Sequence, residues 1–331
     1  MMPTLYAGHE ECHLIAKKSP ALQHHLIEML RVYDVDNSEL ISQHEFQAAP
    51  LDCCFLSDFN RVAVGGLTGG IHVFDVHGAK ISQVGRHDAP VRSVRFHRPT
   101  NLVYSGGWDN TIRAWDLRSP REIGMAAIHG KVYAMDLNDD KLVVCDSMKR
   151  TYIYDIRNGA EMINAEYREY GCSDAGASDQ ILKYQIRSVR CFPNGQGFAA
   201  SSIEGRVTWE YFDPNPEVQS RKYAFKCHRI KEADGSETAC PVNSIVFHPR
   251  YGTFATGGSD GGVSIWDGLS KKRLCRVPPL PTSVSSLAFN SSGTLLAMAV
   301  SYMFERGPQP GQPKPQIIVR AVREEDVRPK S

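Results

Sequence analysis

The 331-residue sequence lacks the features that would place a chain in a membrane or in the secretory pathway. Its longest apolar run, Leu295–Phe304, is too short to span a bilayer. No charged start followed by an apolar stretch is present, so we expect no secretory signal. No nucleophile motif, phosphate-binding loop or paired carboxylate set is recognisable, and we therefore expect no enzymatic activity and no cofactor.

An excess of one charge and a pattern of paired cysteines are also missing. The 38 Lys and Arg residues nearly balance the 37 Asp and Glu residues, so no overall field favours nucleic acid or a membrane surface. The nine Cys residues are odd in number and include no Cys-x-x-Cys pair. Because most lie in apolar, strand-like segments, they predict reduced core thiols in a cytosolic or nuclear protein.

The chain does contain a repeat. Residues 105–116 (Ser-Gly-Gly-Trp-Asp-Asn-Thr-Ile-Arg-Ala-Trp-Asp) and 256–267 (Thr-Gly-Gly-Ser-Asp-Gly-Gly-Val-Ser-Ile-Trp-Asp) are near-copies. Both have the pattern of a strand end, a tight turn and a second strand that closes on Trp-Asp. Weaker copies close at Tyr33-Asp34, Phe74-Asp75, Tyr154-Asp155 and Phe212-Asp213. Such a unit cannot bury its own apolar face, so the copies must stack on one another.

The spacing of the repeat indicates the architecture. The closing Asp residues at 34, 75, 116, 155, 213 and 267 are separated by 41, 41, 39, 58 and 54 residues. The three shorter intervals match the roughly 40–45 residues of a WD repeat, in which four strands form one propeller blade. The longer intervals predict loop insertions at 157–180 and 229–239, and a further unit follows over 284–322. We predict an all-β, seven-bladed WD-repeat β-propeller over residues 30–322, followed by a tail at 323–331.

Residues 1–29 do not match the repeat. Apolar residues recur at helical spacing within Ala21–Leu30, which predicts a helix there and a first blade that is degenerate or incomplete. The cluster His9-Glu-Glu-Cys-His13, with His24 and His25, has side chains of the metal-binding type. Because no second set of ligands follows at finger-like spacing, we expect no metal site.

Two sets of residues predict a structural polar network. The order His–Ser/Thr–Asp–Trp is typical of WD repeats, where a turn carboxylate accepts from an imidazole that is linked through a hydroxyl to an indole N–H. The sets are His87, Ser105, Asp109 and Trp115, and His228, Thr256, Asp260 and Trp266. Since the pattern recurs with the repeat, we interpret it as structural rather than catalytic. Thr68-Gly-Gly70 and Met148-Lys-Arg150 replace the turn Asp in two other repeats.

Longer blocks of the chain are more specific than the repeat itself. They are Ser201–Val207, Tyr211–Glu217, Lys222–Arg229, Pro241–Ile245, Phe254–Asp260, Lys271–Cys275, Pro281–Phe289 and Ser301–Met303. In these blocks the sequence from Leu30 onward resembles the mitotic-checkpoint WD-repeat proteins of the budding-uninhibited-by-benzimidazole group. It resembles their messenger-RNA-export relatives more distantly, since Lys271–Cys275 and the Pro-Thr-Ser start of Pro281–Phe289 are similar to the checkpoint proteins.

The resemblance implies a monomeric recruitment platform in the nucleus, at the kinetochore and in the cytoplasm. Members of this group bind a short motif carried by checkpoint kinases across the top of the propeller. They also bind a kinetochore scaffold peptide phosphorylated on Thr, and are linked to the assembly that inhibits the anaphase-promoting complex. The resemblance implies no membrane contact, and with the neutral net charge we expect no direct nucleic-acid binding.

The resemblance also implies the cations that would hold such peptides. Arg206 matches the family arginine that pairs with a motif glutamate, and Lys226 and Arg229 lie in the block that supplies phosphate-contacting cations. The alternative for Arg206 is a capping role after Glu204 in the strand turn. The alternative for Lys226 and Arg229 is that they are solvated charges at strand ends.

Three further residues are candidates for the same peptide-binding face. Trp108, next to the turn Asp109, is a candidate aromatic platform, although it could instead pack on the neighbouring blade. Lys183 and Arg187 add cations. Family members carry a Ser-Trp-Asp turn in the first blade, whereas no Trp precedes Trp108 here, so part of the groove is expected to be missing.

Two other functions remain open at this point. The export relatives would place a nucleoporin motif in the same groove. A substrate receptor of a cullin ubiquitin ligase would end a blade with Trp-Asp-x-Arg, a pattern that Trp115-Asp-Leu-Arg118 fits. An enzyme is the least favoured alternative.

Overall fold

The computed structural model describes residues 29–118, 121–158, 182–305, 307–308 and 310–330, and the backbone of 6–7, 13–18 and 166–169. In these residues the regular structure is almost entirely β-strand, with two helices of 4 residues each. No helix within the described ranges is long and apolar enough to cross a membrane.

Consecutive strands pair antiparallel into sheets. Sheet 1 contains β1 (Tyr6–Ala7), β2 (His13–Lys18), β3 (Met29–Asp34) and β4 (Glu39–Glu45). Sheet 2 contains β5 (Pro50–Phe55), β6 (Arg61–Gly66), β7 (Gly70–Asp75) and β8 (Ile81–Arg86). Sheet 3 contains β9 (Val91–His97), β10 (Leu102–Gly107), β11 (Thr111–Asp116) and β12 (Arg121–Ala127). Sheet 4 contains β13 (Val132–Leu137), β14 (Lys141–Asp146), β15 (Arg150–Asp155) and β16 (Glu166–Glu169).

The second half continues the pattern with two additions. Sheet 5 contains β17 (Ile186–Cys191), β18 (Gly197–Ser202), β19 (Arg206–Tyr211) and β20 (Tyr223–Lys226), with α1 (Pro216–Gln219) before β20. A separate hairpin contains β21 (Arg229–Lys231) and β22 (Glu237–Ala239). Sheet 6 contains β23 (Val242–Phe247), β24 (Phe254–Gly258), β25 (Val263–Asp267) and β26 (Lys272–Val277). Sheet 7 contains β27 (Val284–Phe289), β28 (Leu295–Val300) and β29 (Gln316–Ala321), and α2 (Glu324–Val327) follows.

The sheets form a closed ring, as the sequence predicts for a propeller. The first strand of each sheet contacts the first strand of the next, and β1 contacts both β5 and β27. Each pair of neighbouring sheets also shares an apolar cluster. The ring closes where Ala297 and Ala299 of sheet 7 pack against Tyr33 of sheet 1. The first strands therefore surround a central channel.

The prediction of seven blades is wrong, because the described residues form six four-stranded blades. Six sheets have four strands, and sheet 7 has three within the described residues. The incomplete sheet is the last one rather than the first. After β29 the backbone turns at Val322, whose N–H donates to the Thr294 carbonyl, and α2 follows instead of a fourth strand. Val327 of α2 is buried in the cluster between sheets 6 and 7, so packing of the tail takes the place of strand pairing.

The predicted helix over 21–30 is wrong at its end. Met29 and Leu30 begin β3, in which Leu30 and Val32 alternate as fully buried residues against sheet 2. Burial of every second residue is typical of a strand with one face in the core. The helical spacing of the apolar residues in the sequence therefore does not decide the structure here. Residues 19–28 lie outside the described part of the chain, as do His9, His24 and His25 of the candidate metal cluster; β2 begins at His13.

The two insertions also differ from simple loops. The predicted loop at 229–239 contains the hairpin β21–β22, in which Arg229 pairs with Ala239. The insertion at 157–180 includes β16, which completes sheet 4, while residues 159–165 and 170–181 lie outside the described part.

The first predicted polar network has the order expected from the sequence. His87 Nδ1 lies 2.9 Å from Asp109 Oδ2, and Nε2 lies 2.7 Å from Ser105 Oγ, which also accepts from Trp115 Nε1 at 2.7 Å. Burial lowers the pKa of His87 and outweighs the opposing effect of Asp109. A neutral imidazole with its proton on Nδ1 satisfies every partner, because it donates to Asp109 and accepts from Ser105.

The second network repeats this geometry in sheet 6. His228 Nδ1 lies 2.8 Å from Asp260 Oδ1, and Nε2 lies 2.8 Å from Thr256 Oγ1, which accepts from Trp266 Nε1 at 2.9 Å. Burial would raise the pKa of Asp260, but the hydrogen bond and charge of His228 lower it overall. Thr256 takes the position that Ser105 has in the first network. The group that links the imidazole to the indole is therefore the hydroxyl that both residues share.

Sheet 4, which lacks the turn Asp, is braced differently. Asp146, at the end of β14, accepts from the backbone N–H groups of Met148 and Arg150, each at 2.8 Å. Tyr152 donates to the other oxygen of Asp146 at 3.2 Å, and His129 Nδ1 lies 3.0 Å from the same hydroxyl. The carboxylate of the last residue of β14 therefore takes the place of the missing turn Asp.

We expect Ser105→Ala to lower the free energy of unfolding by about 1–3 kcal/mol, because it leaves the His87 and Trp115 nitrogens buried without their shared partner. Ser105→Thr should lower the free energy of unfolding much less, since Thr256 serves the same role in sheet 6. Urea denaturation monitored by tryptophan fluorescence measures both variants. Equal losses in the two variants would contradict a role for the hydroxyl.

We expect the stability to fall as the pH drops from 7.5 to 5.5. Burial lowers the pKa of His72, His87 and His248 below 6.5 in the folded protein. Below that value the unfolded chain binds more protons than the folded one, so the free energy of unfolding decreases. Asp109 and Asp260, whose pKa values are lowered from 3.8, add a loss only in stronger acid. A melting temperature that is unchanged between the two pH values would contradict this assignment.

Candidate functional site

A β-bulge recurs near the start of the first strand in sheets 2 to 7. The pairing with the second strand skips one residue, always the second of the first strand. The skipped residues are Leu51, Arg92, Tyr133, Arg187, Asn243 and Ser285. Because a bulge re-aims the side chain at its position, all six line one end of the central channel. We call this end, which also carries the turns between second and third strands, the upper face.

The bulged residues surround a cavity of about 230 Å³ at the upper mouth of the channel. Trp108, from the β10–β11 turn, and Met303, after β28, also line it, as do the charged side chains of Asp52, Arg95 and Arg190. The cavity combines apolar and aromatic surface with the guanidinium groups of Arg92 and Arg187. This combination suits a peptide side chain with an acidic group better than a purely apolar ligand.

The turn around Trp108 positions its indole at the mouth. The Trp108 N–H donates to the Pro90 carbonyl at 2.8 Å, which anchors the turn on the neighbouring loop. The indole is half-buried, and its Nε1 is buried without a hydrogen-bond partner in the described residues. Lys131 Nζ lies 5.8 Å from the ring centroid. Trp108 therefore offers an unused donor and an aromatic surface beside a cation.

Arg187 and Arg92 bring like charges to the same mouth. Burial and, to a smaller extent, the charge of Arg92 lower the pKa of Arg187, while Glu305 opposes this shift. Arg187 Nε is buried and makes no hydrogen bond within the described ranges. Among the described residues, neither arginine forms an ion pair. An anionic group from outside would supply the missing acceptor and reduce the repulsion between the two arginines.

A second group of cations lies on the upper rim of sheet 5. Arg206 in β19 pairs directly with Lys226 in β20, which places both at the same edge. Glu204 contacts three of the neighbouring residues: its Oε2 lies 3.5 Å from Arg206 Nε, its Oε1 accepts from the Lys183 backbone at 3.1 Å, and its carbonyl accepts from Arg229 at 3.1 Å. We call Lys183, Glu204, Arg206, Lys226 and Arg229 the rim cluster.

A glycine makes the close packing of this rim possible. Gly205 has a φ of +66°, and a Cβ there would lie 2.7 Å from the Cys227 carbonyl oxygen. The hairpin β21–β22 rises next to it, and the Cys240 N–H donates to the His228 carbonyl at its base at 2.9 Å. The β18–β19 turn therefore lies directly under the hairpin, which holds Arg229 beside Glu204.

The structure thus divides the six sequence-predicted binding residues into two groups. Trp108 and Arg187 lie at the channel mouth. Lys183, Arg206, Lys226 and Arg229 lie in the rim cluster, where Glu204 partly neutralises Arg206. The Arg206–Glu204 contact agrees with the alternative that Arg206 caps its own turn, so an external carboxylate would have to compete with Glu204.

Sequence reasoning missed Arg92, Tyr133 and Asn243, and it named Glu204 only as a residue of the turn that Arg206 would cap. The first three share a signal with Arg187: each is the second residue of a strand that reads Val-Arg-Ser-Val, Val-Tyr-Ala-Met, Ile-Arg-Ser-Val or Val-Asn-Ser-Ile. Aligning the first strands of the repeat would have found them. In the described ranges no group of three or more His, Cys, Asp and Glu residues could hold a metal ion. The chemistry available at this face is the binding of acidic and apolar groups.

Comparison with known proteins agrees with this architecture. The chain matches the WD domain, G-beta repeat family over residues 78–116 and 225–267. A solved structure titled "Structure of U3-55K" superimposes with a TM-score of 0.75 and covers 97% of this chain and 98% of that one. Its sequence identity is 15%, so this likeness supports the propeller fold alone.

Curated relatives are more informative. The chain is 44% identical to "Mitotic checkpoint protein BUB3.1" of Arabidopsis thaliana, over 91% of this chain and 86% of that protein. It is 39% identical to "Mitotic checkpoint protein bub-3" of Caenorhabditis elegans, with the same coverage of 91% and 86%. It is 32% identical to "mRNA export factor GLE2" of Chaetomium thermophilum, over 85% of this chain and 76% of that protein. These comparisons confirm the resemblance read from the sequence, and the chain belongs to the Bub3 family of WD-repeat mitotic checkpoint proteins.

Proposed function

We propose that this protein is a non-catalytic adaptor that brings mitotic checkpoint kinases to kinetochores. Its upper face binds a short kinase motif and a scaffold peptide phosphorylated on Thr. The observation that carries the proposal is the set of buried, unpartnered donors at the channel mouth, Trp108 Nε1 and Arg187 Nε. Buried donors without acceptors are rare in folded proteins, and a peptide carboxylate would satisfy both.

The kinase motif would span the two groups of residues on the upper face. One motif glutamate enters the mouth between Arg92 and Arg187, and a second reaches Arg206 at the rim. An apolar motif residue covers Trp108. Glu204 leaves Arg206 when the motif glutamate arrives, and its charge then remains near Lys183, whose backbone N–H already donates to it.

The phosphothreonine of the scaffold peptide would lie at the outer part of the rim. Lys226 is exposed, and Arg229 has a buried Nε without a partner in the described residues. A phosphate carries up to two negative charges and three acceptor oxygens, so an ammonium and a guanidinium together suit it. The two peptides would thus occupy adjacent parts of one surface.

The ring supports this surface in the proposed function. Sheet 7, which has three strands in the described residues, keeps β27, and with it Ser285, at the channel mouth. The protein acts as a monomer in the nucleus, at the kinetochore and in the cytoplasm, and contributes to the assembly that inhibits the anaphase-promoting complex. This part of the proposal comes from the family resemblance.

A second candidate function is messenger-RNA export, favoured by the 32% identity to the GLE2 protein. A nucleoporin motif would then occupy the same upper face. The cullin-receptor alternative has less support, since Arg118 Nε and an η nitrogen each donate to its own Asp116 at 3.0 Å. Copurification of a nucleoporin without a checkpoint kinase would favour the export role.

We expect Arg206→Glu to weaken binding of an unphosphorylated kinase-motif peptide by about 2 kcal/mol or more, roughly thirtyfold, because the motif glutamate meets a like charge beside Glu204. Isothermal titration calorimetry measures the affinity. Arg221→Glu makes the same change of charge at an exposed residue in the turn before β20, at the other end of that strand from Lys226, and is expected to leave the affinity unchanged. Equal affinities of wild type and Arg206→Glu would refute the site assignment.

We expect Lys226→Glu to remove the preference for a phosphothreonine scaffold peptide over its unphosphorylated form, because it places a carboxylate where the phosphate would lie. Fluorescence anisotropy with both peptides measures the ratio of affinities. Lys226→Gln should give an intermediate ratio, since it removes the attraction without adding repulsion. If the wild type bound both peptides equally, the phosphopeptide assignment would be wrong.

A further inference from the structure

The opposite end of the channel carries an aromatic cavity that the proposed function does not use. This lower face holds the turns between the first and second strands of each sheet. The cavity has a volume of about 400 Å³, and its wall includes Phe55, Phe59, Phe96, Phe289 and Arg98. Phe55, Phe59 and Phe96 are half-buried, so their rings keep surface exposed to solvent, whereas Phe289 is buried.

Phe59 has an unusual backbone for an aromatic residue. It lies in the β5–β6 turn with a φ of +52°, in the left-handed region. The corresponding turns of sheets 3, 5 and 7 place Asn101, Gly195 and Gly293 at φ values of +56°, +72° and +77°. Gly and Asn adopt this conformation with little strain, whereas a bulky side chain does so at a cost. Sheet 2 therefore keeps a strained phenylalanine at the mouth, where sheets 3, 5 and 7 have Asn or Gly.

Arg98 supplies the charge of this mouth. Its guanidinium carbon lies 5.1 Å from the centroid of the Phe59 ring, and the side chain is exposed. Among the residues that the structure describes, Arg98 forms no ion pair, whereas the nearby Asp58 pairs with Arg61 at 2.6 Å. The aromatic ring thus holds a guanidinium at the edge of an apolar cavity with its donors available.

The floor of the cavity is neutral by comparison. Arg95 lies 2.7 Å from Asp52 and 3.1 Å from Asp136, and Arg190 lies 3.2 Å from Asp136. These two arginines and two aspartates balance each other. The net charge presented at the lower mouth is therefore positive and comes from Arg98.

We propose that the lower mouth binds a linear segment of a partner protein that inserts one apolar side chain between the phenylalanines and places a carboxylate beside Arg98. The apolar wall accounts for the side chain, and the unpaired guanidinium accounts for the carboxylate. This role would explain why a strained residue is kept at position 59, because the Phe59 ring forms one wall of the cavity and also orients Arg98. The site is separate from the upper face and does not depend on peptide binding there.

Saturation-transfer difference NMR on the full-length protein tests this proposal with two probes, the capped dipeptides acetyl-Phe-Glu-amide and acetyl-Phe-Gln-amide. The Glu peptide is expected to bind several-fold more tightly to the wild type. Arg98→Gln should remove the difference between the peptides, because the carboxylate of the Glu peptide then has no guanidinium of Arg98 to pair with. Since Arg98 is exposed and forms no ion pair in the described residues, this variant is expected to fold normally.

Phe59→Gly is expected to weaken the binding of both peptides, because it removes one wall of the cavity. It also relieves the left-handed strain, so loss of binding would not come from a strained turn. Asn101→Gly is the matched control, since it makes the same kind of change in the corresponding turn of sheet 3 and should leave binding unchanged. Equal binding of the Glu and Gln peptides by the wild type, or undiminished binding by Phe59→Gly, would overturn the proposal.

Discussion

Arg95 contacts two carboxylates at the centre of the ring, and the rest of the structure depends on this largely buried ion network. It joins Asp52 of sheet 2 to Asp136 of sheet 4, and Arg190 extends the network to the Ile245 carbonyl of sheet 6. Buried charges are costly unless each is paired and hydrogen-bonded, so the first strands of five sheets must keep one register. In each of these five sheets the bulge lies at the second residue of the first strand.

The same network separates the two ends of the channel. Above it, the bulged second residues of the first strands point into the upper mouth, where Arg92 and Arg187 face each other without a carboxylate within ion-pair distance in the described chain. Below it, the ends of these strands carry Phe55 and Phe96. One propeller thus presents two faces of different chemistry: the upper mouth is rich in cations, and the lower mouth is aromatic with the exposed Arg98 at its edge.

Sequence reasoning found the parts of the fold that repeat. The Trp-Asp spacing predicted the ring, and the order of His87, Ser105, Asp109 and Trp115 predicted a network whose members lie at hydrogen-bond distance. It failed where the repeat stops. Within the described residues sheet 7 has three strands, and the tail packs α2 against sheet 6, a long-range contact that local spacing does not contain. The binding residues of the rim came from family resemblance, and no physical pattern in the chain pointed to them.

The sequence alone determined the all-β repeat, the residues of the polar networks and the family, because each depends on local spacing or on residue identity. Only the tertiary structure decided which side chains meet. Arg92, Tyr133, Arg187 and Asn243 are far apart in the chain, and they share one mouth because a one-residue bulge turns each toward the channel. The strain at Phe59 is likewise a property of its turn, since the residue type does not reveal a left-handed backbone.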